Sequence, residues 1–100
     1  MDADAESVCL SVRQTARAGV PMDQTVALVE KGIEKGMTAE DIERMTRAVA
    51  YATTHGTEAE ETVRYTEKVM DGKVKGEDIA LDVYRWAGQK LEEGLKGGKR

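Results

Sequence analysis

Apolar residues recur at spacings of three and four along most of this chain, which is the pattern of amphipathic helices. Glycines at positions 19, 36, 56, 72 and 94 divide the pattern into segments about one helix and one turn long. Glycine often takes a left-handed conformation just past a helix end. No segment alternates β-branched or aromatic residues with polar ones in the period of two that predicts a strand. The sequence therefore predicts an all-α fold, a compact bundle of about five short helices joined by glycine-containing turns.

Each predicted helix contributes one apolar stripe to the predicted core. The first helix, from about Asp4 to Ala18, has its stripe beside Cys9, which we expect to be a small buried residue. The second helix opens at Val20-Pro21 and runs to about Lys35. The stripes are Ala5, Val8, Val12 and Ala16; Val26, Val29, Ile33 and Met37; Ile42, Met45, Val49 and Ala52; Ala59, Val63, Thr66 and Met70; and, in the fifth helix, Ile79, Ala80, Val83, Tyr84, Trp86, Ala87, Leu91 and Leu95.

Two helix starts are marked by capping residues. Thr38 is followed by the acidic Glu40 and Asp41, which suit the first turn of a helix. Thr57 and Glu60 have the spacing of a capping box, in which each side chain satisfies the other residue's backbone N–H. We therefore predict that the third helix is capped by Thr38 and the fourth by Thr57.

The tripeptide Glu-Asp-Ile occurs twice, at 40–42 and at 77–79, so its two copies are 37 residues apart. A repeat built from a pair of helices has about this length. Capping chemistry at two separate helix starts also produces such an echo, so both explanations stay open.

Length and charge limit the class of protein. The chain has 100 residues and a formal net charge of −4, so we predict one helical domain over 1–96 and a disordered tail over 97–100. The start is acidic and lacks a signal segment, which favours the cytoplasm, and no apolar run has the length of a membrane span. The single cysteine excludes an intramolecular disulfide framework.

No residue pattern predicts catalysis, a metal or a cofactor. His55 is the only histidine, and it lies at a predicted helix end, where a cation is favoured. The carboxylates are concentrated in the first turns of helices, where the helix dipole explains them without a functional role. We therefore expect a protein that is not an enzyme.

The fifth predicted helix carries the best candidate for a partner-binding surface. Its apolar stripe is wider than a single neighbouring helix covers, and tyrosine and tryptophan are enriched at binding hot spots. Trp86 is either the internal anchor of the bundle or part of an interface. We expect a small acidic interaction or accessory module that contacts protein, as a homodimer or with another chain, through Tyr84, Trp86, Leu91 and Leu95.

The alternative is DNA binding. The segment from Gly32 to Met45 resembles a helix-turn-helix, with a glycine at the turn and Thr38 at the start of the second helix. The resemblance implies that Thr38, Arg44 and Arg47 would contact DNA. Acidic residues in that second helix and a pI of about 5.0 make nucleic acid the less favoured partner.

Overall fold

Residues 2–97 fold into five helices, as predicted. The computed structural model describes the backbone of residues 2–97 and the side chains of residue 6 and residues 8–94. No strand occurs within 2–97. The helices are α1 (Asp2–Arg17), α2 (Met22–Glu34), α3 (Ala39–Thr54), α4 (Ala59–Met70) and α5 (Gly76–Gly97).

The helices form two layers around one core. The central helix, α3, packs against all four others, and its strongest contacts are with α1 on one side and α5 on the other. The shorter helices α2 and α4 contact each other and cover this three-helix layer. The domain measures 52 × 27 × 17 Å along its principal axes, so it is a flat, elongated arrangement of stacked helical hairpins.

Three helices end in the same hydrogen-bonded turn. The backbone N–H groups of Val20, Met37 and Thr57 each donate to the carbonyl five residues earlier, at 3.0 to 3.1 Å. The residue before each donor is a glycine with positive φ, and together these features define the Schellman motif. The left-handed glycine is thus confirmed after α1, α2 and α3. The same prediction is wrong for Gly72, which has no positive φ, and for Gly94, which lies inside α5.

The helix starts repeat with a period of 37 residues. The helices α3 and α5 begin at residues 39 and 76, α2 and α4 begin at residues 22 and 59, and the left-handed glycines after α1 and α3, Gly19 and Gly56, have the same spacing. Capping alone does not explain this spacing, because it extends to helix starts outside the Glu-Asp-Ile echo. The structure therefore consists of two helical hairpins, α1–α2 and α3–α4, followed by α5 at the position that starts a third.

The predicted stripe is right in α3, partly right in α5, where Tyr84 is exposed, and wrong in α2. The α3 stripe is fully buried, as are Ile79, Val83 and Ala87 of α5. In α2, however, Val26 and Ile33 are exposed, and the buried residues other than Val29 are Thr25, Leu28 and Gly32. Cys9, predicted to be buried, is also exposed. The physical reason is the same in both helices, because none of the described helices packs against the outer side of the first hairpin.

The predicted capping box at Thr57 does not form. The N-cap of α4 is Glu58, whose side chain makes no capping hydrogen bond. The buried Thr57 hydroxyl instead shares a hydrogen bond of 2.7 Å with the hydroxyl of Thr62. Thr57 is held there because it forms the turn after α3, so it packs inward and does not start α4.

Candidate interaction site

The outer surface of α3 and α5 carries three ring side chains in contact. Tyr51 of α3 packs edge-to-face on Tyr84 of α5, with ring centroids 5.1 Å apart and an interplanar angle of 88°. Tyr51 also contacts His55, the C-cap residue of α3, at a centroid distance of 4.2 Å. Tyr51 is 49% exposed and Tyr84 is 38% exposed, so the pair is presented to solvent. We call Tyr51, His55 and Tyr84 the aromatic face.

A cleft of about 360 Å³ lies beside the aromatic face, between α1 and α3. Its lining includes the guanidinium-bearing residues Arg17 and Arg47 and contains no carboxylate. A cationic lining of this kind stands out in a chain with a net charge of −4. The residues around this α1–α3 cleft are Gln14 and Arg17 from α1, Ala18 from the turn after α1, Arg47, Ala50, Tyr51 and Thr54 from α3, and His55 from the turn after α3.

A second cleft, of about 250 Å³, lies on the other side of the same face, between α3 and α5. Its lining residues are Arg44, Arg47, Glu77, Ala80, Leu81 and Tyr84. Leu81 is 50% exposed. The structure thus brings together residues from two different hypotheses. Tyr84 was predicted to contact protein, whereas Arg44 and Arg47 were predicted to contact DNA.

Both arginines of the helix-turn-helix hypothesis are paired with carboxylates. Arg44 lies 3.8 Å from Glu40 on its own helix and 3.8 Å from Glu77 on α5. Arg47 lies 3.3 Å from Glu43. Exposed pairs of this kind are weak, so the guanidinium groups stay accessible to solvent.

Thr38, the third residue of that hypothesis, caps α3 as predicted. Its hydroxyl accepts a hydrogen bond of 3.1 Å from the Asp41 N–H, and the Asp41 carboxylate accepts one of 3.3 Å from the Thr38 N–H. The same carboxylate accepts a hydrogen bond of 2.9 Å from the Gly76 N–H at the start of α5. The Gly76 bond, followed by those to Thr38, lowers the pKa of the Asp41 carboxyl group, although partial burial opposes the shift.

Trp86 lies on a different side of α5 from Tyr84. Its ring stacks on Tyr65 of α4 at a centroid distance of 4.8 Å and an interplanar angle of 9°. The Lys90 ammonium lies 6.0 Å from its centroid, and the indole packs against the buried core. Residues two apart on a helix point in nearly opposite directions, so Tyr84 and Trp86 do not form one surface.

The two leucines of the predicted surface lie further along α5. Leu91 is half-buried, and its Cδ2 lies 3.2 Å from the position that a Cβ on Gly56 would take. Leu91 therefore covers the turn after α3, beside His55. The side chain of Leu95 lies outside the described residues.

Sequence reasoning missed Arg17 and Tyr51. A signal for Tyr51 is present, since Arg47, Tyr51 and His55 are spaced four apart and so share one face of a helix. Arg17 comes next to the α1 turn, and only the packing of α1 on α3 brings it to the cleft.

No protein-family model, curated protein or solved structure matches this chain. Within the described part of the chain, no three His, Cys, Asp or Glu side chains are grouped to hold a metal ion. None of the helices searched there combines the length and apolar character needed to cross a membrane. The geometry of the clefts is therefore the basis for a functional proposal.

Proposed function

We propose that this chain is a non-catalytic protein-interaction module that binds an acidic segment of a partner protein on the aromatic face and in the α1–α3 cleft. The observation that carries the proposal is the lining of that cleft, in which Arg17 and Arg47 lie beside Tyr51 with no carboxylate among the lining residues. Arginine and tyrosine are the residue types that contribute most at binding hot spots.

The chemistry of the cleft specifies the partner segment. A carboxylate of the partner meets guanidinium groups that make charge-assisted hydrogen bonds. An apolar side chain of the same segment packs on the rings of Tyr51 and Tyr84, which are pre-organised by their edge-to-face contact. The partner segment is thus acidic with at least one large apolar residue.

The ion pairs on α3 weigh against DNA as the partner. Arg44, which does not line the α1–α3 cleft, would have to exchange two carboxylates, Glu40 and Glu77, for phosphate. Those carboxylates also repel the phosphate backbone. DNA binding through Thr38, Arg44 and Arg47 stays a prediction, as does self-association through α5.

Selection from a random peptide library displayed on phage tests the proposal. We expect the enriched peptides to carry Asp or Glu next to a large apolar residue. The Arg47→Ala and Tyr51→Ala variants should each weaken the binding of a selected peptide at least about tenfold, as measured by fluorescence anisotropy. Arg64→Ala is the matched control, because Arg64 pairs with Glu60 at 3.4 Å on α4 much as Arg47 pairs with Glu43 on α3.

Two outcomes would overturn the proposal. One is a library that yields no enrichment, or peptides whose affinity is the same for Arg47→Ala, Tyr51→Ala and the wild type. The other is a gel shift with random duplex DNA at low salt that is lost in the Arg44→Ala/Arg47→Ala double variant, which would support the helix-turn-helix alternative.

A further inference from the structure

The outer edge of the first hairpin exposes apolar side chains that have buried counterparts in the second hairpin. Shifting by 37 residues relates Val26 to Val63 and Ile33 to Met70. Val26 is 39% exposed whereas Val63 is 6% exposed, and Ile33 is 60% exposed whereas Met70 is fully buried. The same shift relates Met22, which is 57% exposed, to the half-buried Ala59.

The edge continues onto α1. Arg47 and Ala50 of α3 line the cleft against α1, and their counterparts one repeat earlier are Leu10 and Arg13. Leu10 is 54% exposed and lies in a shallow cleft with Glu6, Cys9 and Arg13. Cys9 corresponds to Thr46, which is fully buried. The exposed residues of this edge therefore occupy the positions at which the second hairpin packs against the first.

The opposite end of the stack does not match this edge. The outer side of α5 carries the exposed Arg85 and Gln89 at the positions that correspond to the buried Ala48 and Ala52 of α3. Asp82 on the same side pairs with Lys73. Head-to-tail stacking would place the apolar edge of one copy against the polar outer side of α5 in the next copy. The apolar edges of two copies are both buried when they pack against each other, which gives a closed dimer.

Charge positions favour a twofold pairing of the edge with itself. Glu6 and Arg13 lie on either side of Cys9 and Leu10 at nearly equal distances along α1. When two copies of α1 run antiparallel about an axis near Cys9, Glu6 of each copy comes opposite Arg13 of the other. On α2, the acidic Asp23 and Glu30 correspond to Glu60 and Glu67, which border the α2–α4 contact without preventing it.

We propose that two copies of this chain associate through this outer edge, with Met22, Val26 and Ile33 of each copy buried against the other and α1 paired antiparallel with α1. None of the residues assigned to this interface lines the α1–α3 cleft or belongs to the aromatic face. The pairing is therefore independent of the proposed binding of an acidic segment.

Sedimentation equilibrium of the full chain over a wide concentration range tests the proposal. We expect a monomer–dimer equilibrium whose Kd rises at least about tenfold in Ile33→Glu. The matched control is Leu81→Glu, since Leu81 is also about half exposed but lies on α5 next to the aromatic face. That variant should dimerise like the wild type, and circular dichroism should show both variants folded.

Charge reversal and cross-linking test the geometry. Arg13→Glu places like charges opposite each other and should weaken the dimer, whereas Glu6→Arg/Arg13→Glu should restore it. A short bismaleimide should join two copies through Cys9, the only cysteine, and Ile33→Glu should suppress that product.

A wild-type chain that stays monomeric at every concentration would overturn the proposal, and the edge would then have a hairpin of another chain as its occupant. A dimer that is sensitive to Leu81→Glu but not to Ile33→Glu would also overturn it. Failure of the peptide selection leaves this result unaffected, because Arg17, Arg47 and Tyr51 lie outside the edge.

Discussion

The Asp41 carboxylate accepts a hydrogen bond from the backbone N–H of Gly76, across 35 residues of sequence and at a distance of 2.9 Å. This bond joins the start of α3 to the start of α5, so a side chain of one helix satisfies an N–H at the start of another. A Cβ on Gly76 would clash with the backbone carbonyl group of Asp41. The contact between the two helix starts thus depends on a glycine at position 76.

Gly76→Ala should be strongly destabilising. The added methyl group meets backbone atoms, which cannot move aside as a flexible side chain does. The loss in the free energy of unfolding should therefore lie at the upper end of the range typical of overpacking, about 1–3 kcal/mol. Thermal unfolding followed by circular dichroism should show a fall in Tm of more than about 8 °C. A variant with the wild-type Tm would show that the α3–α5 contact is not as close as described.

Asp41→Asn should reduce the acid sensitivity of the fold. Because the pKa of Asp41 is lowered in the folded state, its charge stabilises the protein above the ordinary value of 3.8, and this stabilisation is lost as the pH falls through the folded-state pKa. Urea unfolding between about pH 5 and pH 2 should therefore show the wild type losing its advantage over Asp41→Asn. Parallel stability curves for the two proteins would contradict this role of Asp41.

Two glycine substitutions should have opposite effects. Gly88 lies inside α5 with no atom near its prospective Cβ, so Gly88→Ala should raise the free energy of unfolding by about 0.5–1 kcal/mol. Gly36 has equally open surroundings but a φ of +82°, so Gly36→Ala should cost about 1–2 kcal/mol. Urea unfolding of both variants separates backbone conformation from packing. The same sign of change in both would be inconsistent with the left-handed turn after α2.

The stacking of Tyr65 on Trp86 should appear as a coupling energy. A double-mutant cycle of Tyr65→Leu and Trp86→Leu, measured by urea unfolding with circular dichroism, should give about 0.5–1.5 kcal/mol. Tyr51 does not contact Trp86 in the described ring pairs. A control cycle of Tyr51→Leu and Trp86→Leu should be additive within about 0.5 kcal/mol. Equal coupling in the two cycles would show that the stack contributes nothing specific.

The elements that could be predicted from the sequence are those whose signals are local. Helical periodicity identifies the buried face of α3, and three left-handed glycines follow from the helix ends themselves. In α2 the same periodicity chose a stripe through Val26 and Ile33, and whether such a stripe is covered depends on a neighbouring helix that local sequence does not reveal. The choice of Thr57 over Glu58 as a cap failed for a related reason, because a buried hydroxyl partner, Thr62, competes for that side chain.

The candidate site was only partly predictable because it combines three helices. Tyr84 was expected to bind a partner and does lie on the surface. Grouping it with Trp86 ignored that residues two apart on a helix point in nearly opposite directions. Arg44 and Arg47 were singled out for DNA, and their position next to Tyr84 depends on how α5 packs on α3. That long-range packing rests on contacts such as the one between Gly76 and Asp41, which leave no mark in the local pattern.

The contacts of the described helices join only elements that are at most two apart along the chain, so α1 touches neither α4 nor α5. Loss of either terminal helix therefore removes few of the contacts at the other end, and the cooperativity of unfolding depends on α3 and on the α2–α4 contact. Under native conditions, amide hydrogens of α1 and α5 should exchange through partial opening events, while those of α3 exchange only when the whole domain unfolds.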